Sequence, residues 1–152
     1  RVVTGSNRTE VENVLKEARV KIEPVFNPRF ANGEMMDSIR IGLENLDPRL
    51  DAVLIVLGDQ PQLDARVVEG LITRHKKSGA RLIVPSYQMR RGHPWLVERS
   101  LWREMESAEE GENMRTFLNR HSATIEYLVV DSDSILKDLD TPEDYQQASA
   151  DR

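Results

Sequence analysis

The apolar residues of this chain change their period along its length. Ala52-Val-Leu-Ile-Val-Leu57 is an unbroken run of six apolar residues, rich in β-branched types and followed at once by Gly58-Asp59-Gln60-Pro61. Such a run predicts a strand buried on both faces, the kind found in the middle of a parallel sheet. Before it, Val2-Val3 runs into Thr4-Gly5 as a strand entering its turn. Thr9 with Glu12 makes a capping-box pattern, and Val11, Val14, Leu15 and Ala18 recur on one helical face. Ile22 to Phe26 alternates as a second strand, which Asn27-Pro28 stops because the residue before a proline is pushed toward extended conformations. Asn32-Gly33 opens a helix whose apolar face is Met35, Met36, Ile39, Leu43 and Leu46, ending before Asp47-Pro48.

After the apolar run, Asp64 caps a helix with Val67, Val68, Leu71, Ile72 and His75 on one face, and Gly79 supplies its carboxyl-end signal. Leu82-Ile-Val84 follows as a short strand closed by Pro85. Strict alternation of strand and helix, with connections too short for anything but neighbouring elements, predicts a parallel sheet covered by helices. The pattern then changes. Tyr87 and Trp95-Leu-Val97 read as short strands around the basic turn Met89-Arg90-Arg91-Gly92-His93-Pro94. Glu98 to Ser107 and Asn113 to His121 read as helices, Ile125 to Val130 as a last strand, and Thr141-Pro142 as the start of a final short helix with Asp140 directly before it.

A length of 152 residues suits a single domain over residues 1–152, able to bury roughly two-thirds of its unfolded surface. The absence of cysteine removes thiolate catalysis and thiolate metal sites. A net charge of −5 supplies no electrostatic footprint for nucleic acid, and no apolar run approaches the length that spans a bilayer. The expectation is a soluble, cytoplasmic protein with no nucleic-acid or membrane partner. Arg1 stands where a native start would have methionine, and the chain opens inside a strand, which predicts that an amino-terminal piece is missing.

An open α/β sheet binds ligands beyond the carboxyl ends of its strands, where Asp59 is delivered. Gly58 lets the backbone turn sharply or a ligand come close, and Pro61 stiffens the exit. Asp59 and Asp140 together are the oxygen pair that a magnesium ion needs when its other ligands are water and substrate phosphate, provided they converge. The alternatives are a solvated Asp59 in an ordinary turn and an Asp140 that favours the following helix through its dipole. Arg90, Arg91 and His93, beside Gly92, form the compact basic cluster and would suit phosphate oxygens; a solvated hairpin tip is the other reading. His75, His93 and His121 are too dispersed for a histidine metal centre, and nucleophile-elbow, P-loop and dinucleotide fingerprints are absent.

Four segments in order resemble the MobA-like nucleotidyltransferases. They are Asn27-Pro28 with Gly33 and Ser38-Ile-Arg-Ile-Gly42-Leu43; Leu57-Gly58-Asp59-Gln60-Pro61; Arg91-Gly92-His93-Pro94; and Asp138-Leu-Asp140-Thr141-Pro142-Glu143-Asp144-Tyr145. Within the family the chain is most similar to the molybdenum cofactor cytidylyltransferases. The resemblance implies an α/β, three-layer, Rossmann-like mostly parallel sheet of the glycosyltransferase-A type. It also implies transfer of a nucleoside monophosphate, CMP from CTP or its equivalent from another NTP, to a phosphorylated acceptor such as molybdopterin, with pyrophosphate leaving. By the same resemblance Asp59 and Asp140 are catalytic and hold Mg2+, Asn27, Gly33, Ser38 and Gly58 lie at the nucleotide, and Arg91, Gly92 and His93 border the acceptor. No strong base is needed, because the acceptor phosphate already carries the nucleophilic oxygen.

The departures are informative too. Family members begin with a strand and a loop of the form Leu-Ala-Ala-Gly-x-Ser-x-Arg-Met-Gly, which this sequence lacks; it is either truncated or lost. Met89 stands where many relatives have glycine, and Asn113 stands near another usual glycine. The missing loop motivates an alternative, a non-catalytic chaperone that binds a pterin cofactor or a nucleotide and serves a molybdoenzyme. A sugar-phosphate nucleotidyltransferase of the same fold is a further alternative.

Overall fold

The computed structural model describes residues 1–108 and 112–150, with side chains as far as residue 148. Its contacts fall into two units, Arg1–Asp51 with Arg99–Ala123 and Ala52–Glu98 with Thr124–Arg152.

In the first unit, β1 (Val2–Thr4) pairs in parallel with β2 (Pro24–Phe26), Val3 opposite Val25. Between them in sequence, α1 (Arg8–Lys16) starts from Asn7 with no side-chain cap, so Thr9 lies inside the helix rather than at its cap. Helix α2 (Met35–Glu44) buries Met36, Ile39 and Leu43, and its capping box is Glu34 with Asp37 rather than Asn32-Gly33.

The second unit begins with β3 (Ala52–Ile55), then α3 (Ala65–Ser78), whose ends behave as the sequence predicts. Asp64 accepts a hydrogen bond from the Arg66 amide, and Gly79 closes the helix at φ +66°. Each such device contributes about 1 kcal/mol. Strand β4 (Leu82–Tyr87) does not stop at Pro85; it runs through it, and the Pro85 carbonyl accepts the Gly92 amide at 3.0 Å. Gln88 and Met89, both in the left-handed region, return the chain into β5 (Arg90–Arg91), so the tight turn precedes the basic residues instead of containing them. Strand β6 (Trp95–Glu98) continues that return.

The first unit then resumes with a 3₁₀ turn over Arg99–Leu101 and α4 (Trp102–Glu106), which packs on α2. The helix expected from Glu98 therefore starts late, because Glu98 is still held in the sheet opposite Ala52. Helix α5 (Met114–Arg120) is N-capped by Asn113, whose extended backbone explains its residue type without any left-handed requirement. In the second unit β7 (Glu126–Val129), a 3₁₀ turn over Asp133–Leu136 and α6 (Pro142–Ala150) complete the chain.

The five-stranded sheet is mixed, in the order β3-β6-β4-β5 with β7 also on β4. Strand β7 runs parallel to β4, whereas β6 lies antiparallel between β3 and β4. Two expectations are corrected here. Strands β3 and β4 are not neighbours, because the hairpin return places β6 in the gap. The central strand is β4, buried from Leu82 to Ser86, while β3 is half-buried and pairs with β6 among the described residues. The core of this unit is Val67, Leu71, Ile83, Leu96 and Ile135.

Candidate active site

Beyond the carboxyl end of β3 the chain forms an open loop, Leu57 to Gln62, that is joined to the segment before α6. The Leu139 backbone amide donates to the Asp59 carbonyl at 2.9 Å, the Gln60 side-chain amide donates to Asp138 Oδ1 at 2.7 Å, and Gln62 Nε2 donates to the Lys137 carbonyl at 2.6 Å. Asp59 and Asp140 therefore sit on two segments that are hydrogen-bonded to each other, Asp59 beyond the end of β3 and Asp140 just before α6. Both are exposed, and neither side chain has a hydrogen bond or ion pair within the described residues. Among the described residues no three or more His, Asp or Glu side chains converge to form a complete metal cage. Two carboxylates alone would leave most coordination positions of a divalent ion to water and substrate oxygens.

The same loop contains Gly58. No heavy atom lies within 4 Å of where its Cβ would be, so nothing in the protein demands glycine there. Gly92 is the opposite case: a Cβ would lie 2.3 Å from the Ile135 carbonyl oxygen. Its lack of a side chain lets the strand return press against the 3₁₀ turn, and the adjacent His93 amide donates to that same carbonyl at 3.0 Å. The His93–Pro94 peptide is cis.

His93 stacks on Trp95 with ring centroids 4.5 Å apart, and the Trp95 indole donates to the Gly92 carbonyl at 2.7 Å. Burial pushes the imidazole pKa below its ordinary value; a hydrogen bond to the Ile55 carbonyl and the charges of Asp138 and Asp59 oppose that shift without reversing it. His93 is thus neutral near pH 7, and its Nδ1 is buried without a partner. Arg91 reaches away along the sheet, donating through Nε to the Tyr127 hydroxyl at 2.9 Å, with its guanidinium 5.8 Å from that ring.

In the first unit, Asn27 is 2% exposed and its polar atoms are engaged internally. Its Nδ2 donates to Ser38 Oγ at 3.0 Å, its Oδ1 accepts the Arg29 amide at 2.8 Å, and its own amide donates to the Thr4 carbonyl at 2.9 Å. A Cβ on Gly33 would fall 2.6 Å from Asp37 Oδ2 and 2.8 Å from the Arg29 carbonyl oxygen. These three residues shape the loop between β2 and α2.

Sequence reasoning did not single out Gln60, Gln62, Asp138 or Ser134. Gln60, Gln62 and Ser134 each carry a buried side-chain atom without a partner. The available signal was adjacency, since Gln60 follows Asp59 and Asp138 precedes Asp140 by two residues. Among the described residues no helix is long and apolar enough to cross a membrane.

A family model described as the MobA-like NTP transferase domain matches residues 1–125. Rv0371c from Mycobacterium tuberculosis, solved in complex with manganese, superposes with a TM-score of 0.73 at 21% identity, covering 95% of this chain and 74% of that one. A 4-diphosphocytidyl-2C-methyl-D-erythritol synthase from Anaerococcus prevotii gives a TM-score of 0.75 at 13% identity, over 100% and 79% of the two chains. The molybdopterin-guanine dinucleotide biosynthesis protein A of Archaeoglobus fulgidus gives 0.62 at 17%, over 97% and 76%. No curated protein matches the chain. The solved structures share its α/β fold, as the sequence predicts.

Proposed function

The chain belongs to the MobA-like NTP transferase domain family, and we propose that it transfers CMP from CTP to a phosphorylated acceptor of the molybdopterin type in a reducing, cytoplasmic compartment. A phosphate oxygen of the acceptor attacks the α-phosphorus of CTP, the bond to the β-phosphate bridging oxygen breaks, and pyrophosphate leaves with that electron pair. The observation that carries this reading is the hydrogen bonding between the two segments that carry Asp59 and Asp140, with both carboxylates unpartnered among the described residues.

Asp59 and Asp140 would hold a divalent ion, Mg2+ in our reading; the manganese bound by Rv0371c supports a site of this kind. Such an ion supplies charge neutralisation on the triphosphate. The chain's own residues supply placement. Gly58, in open space, leaves room for a phosphate against the loop backbone. Asn27, Gly33 and Ser38 act on the nucleotide by keeping the loop before α2 in one shape. Gly92, His93 and Arg91 border the acceptor in this reading, Gly92 and His93 by fixing the strand return against Ile135, and Arg91, held on Tyr127, by supplying a cation.

Asp59→Ala should lose the several kcal/mol of transition-state stabilisation that a metal clamp supplies, about a thousandfold in rate, while melting as the wild type does. The measurement is formation of labelled nucleotide–acceptor product from CTP with Mg2+. Undiminished turnover in the variant would remove Asp59 from the reaction. Calorimetry separates the chaperone alternative, which expects pterin binding with no Mg2+-dependent CTP binding.

A further inference from the structure

The two carboxylates just described have no support of their own, since neither Asp59 nor Asp140 makes a side-chain hydrogen bond within the described residues. Free carboxylates on exposed loops would wander over several ångströms, yet an ion that uses two protein oxygens needs them at fixed separation. The segments that carry them are tied together by hydrogen bonds. Gln60 is 5% exposed, although it lies between an exposed aspartate and an exposed proline. Its Nε2 donates to the Asp138 carboxylate at 2.7 Å, a charge-assisted bond of roughly twice the strength of a neutral one. The main-chain bond from Leu139 to Asp59 lies next to it, and the Gln62 bond to Lys137 lies beyond. Gln60 is the buried member of this row.

Gln60 also carries a cost. Its Oε1 is buried without a partner, a defect worth about 1–3 kcal/mol that a leucine of similar size would not have. Flipping the amide would not remove the problem, because Oε1 would then face the Asp138 carboxylate. A buried amide kept at such a cost points to a role for its donor rather than for packing.

We propose that Gln60 is a positioning residue: through Asp138 it locks the segment carrying Asp140 against the loop carrying Asp59, and so sets the distance between the two carboxylates that receive the divalent ion. This rests on the metal role given to Asp59 and Asp140 above, but the clamp itself is measurable without any metal. Gln60→Glu places a carboxylate against Asp138 and should break the clamp. Gln60→Leu removes the donor while keeping the volume, and covers the case in which the charged variant folds poorly. The double variant Gln60→Glu/Asp138→Asn reverses the polarity of the bond, with the new amide donating to the new carboxylate, and should restore it.

Two readouts on the full chain decide the matter. Hydrogen exchange at the Leu139 amide should accelerate at least tenfold in both single Gln60 variants and return to within about threefold of wild type in the double variant. Mn2+ alone, titrated by the electron-spin signal of the free ion, should bind about 10–100-fold more weakly to each single variant, the usual effect of removing a residue that supports metal ligands. Unchanged exchange in Gln60→Leu, or no recovery in the double variant, overturns the clamp. If wild type itself takes up no Mn2+, the proposed metal role fails, while the exchange experiment still decides whether Gln60 locks the two loops.

Discussion

The loop between β2 and α2 and the loop after β3 both bury a polar side chain, yet they treat it differently. Asn27, at 2% exposure, has its side-chain donor and its acceptor oxygen both engaged within the protein. Gln60, at 5% exposure, has its donor engaged and its acceptor unpartnered. Gln62, His93 and Ser134, in the same unit as Gln60, likewise carry buried unpartnered atoms. A fully satisfied buried amide is what a fold needs to fix a loop. The unpartnered atoms of Gln60, Gln62, His93 and Ser134 lie on the segments around exposed Asp59 and Asp140, whereas Arg40 Nε, unpartnered in the first unit, sits on α2 and not on the Asn27 loop. The first loop uses its buried amide fully to hold its own conformation; the second leaves buried hydrogen-bonding capacity unused.

The glycines offer the strongest way to break this contrast. Gly92→Ala should destabilise by about 3 kcal/mol, because its Cβ would lie 2.3 Å from a backbone oxygen that cannot retreat. Gly58→Ala should leave the melting temperature at or slightly above wild type and reduce turnover, since the space above it is open in the protein itself. Thermal melts and an activity assay on both variants are sufficient. Equal loss of stability in the two would erase the distinction between a glycine required by packing and one that leaves room.

Asn27→Ala comes next. It removes the bond to Ser38 and strands the Arg29 amide, which should cost about 2 kcal/mol in denaturant titration. Gln60→Leu should cost less than that, or even stabilise, because it removes an orphan together with a bond. The reverse order would contradict the assignment of the two loops.

A smaller effect is expected from pH. The imidazole of His93 has its pKa lowered from 6.5 by burial, so below that value the unfolded chain binds a proton that the folded chain refuses. The stability contributed by neutral His93 is present above pH 6.5 and is lost as pH falls through the lowered folded value. Melts between pH 7.5 and 5 should show this slope in wild type and a flatter one in His93→Gln. An identical slope would place the titration elsewhere. The smallest change lies outside both loops: Met89, at φ 63° and 97% exposed, is strained only through its backbone. Met89→Gly should stabilise by about 0.5–1 kcal/mol, and it calibrates how much of any loop effect is turn geometry alone.

Much of this molecule is determined locally. The helix α3 between Asp64 and Gly79, the Thr141 and Asp144 capping pair before α6, and the delivery of Asp59 and Asp140 to element ends all follow from caps, periodicity and breakers within a few residues. That Met89 stands where many relatives have glycine agrees with its φ of 63°. What required the tertiary structure is non-local. Strand order was decided by a hairpin return that puts β6 between β3 and β4, because pairing of distant strands leaves no trace in the short connections from which adjacency is inferred. Whether Gly92 is needed for packing and Gly58 for space depends on what lies opposite each, and for Gly92 that is Ile135, far along the chain. The role of Gln60 depends on Asp138, 78 residues away. Sequence alone places charges at the ends of strands; only folding decides which of them are held, and by what.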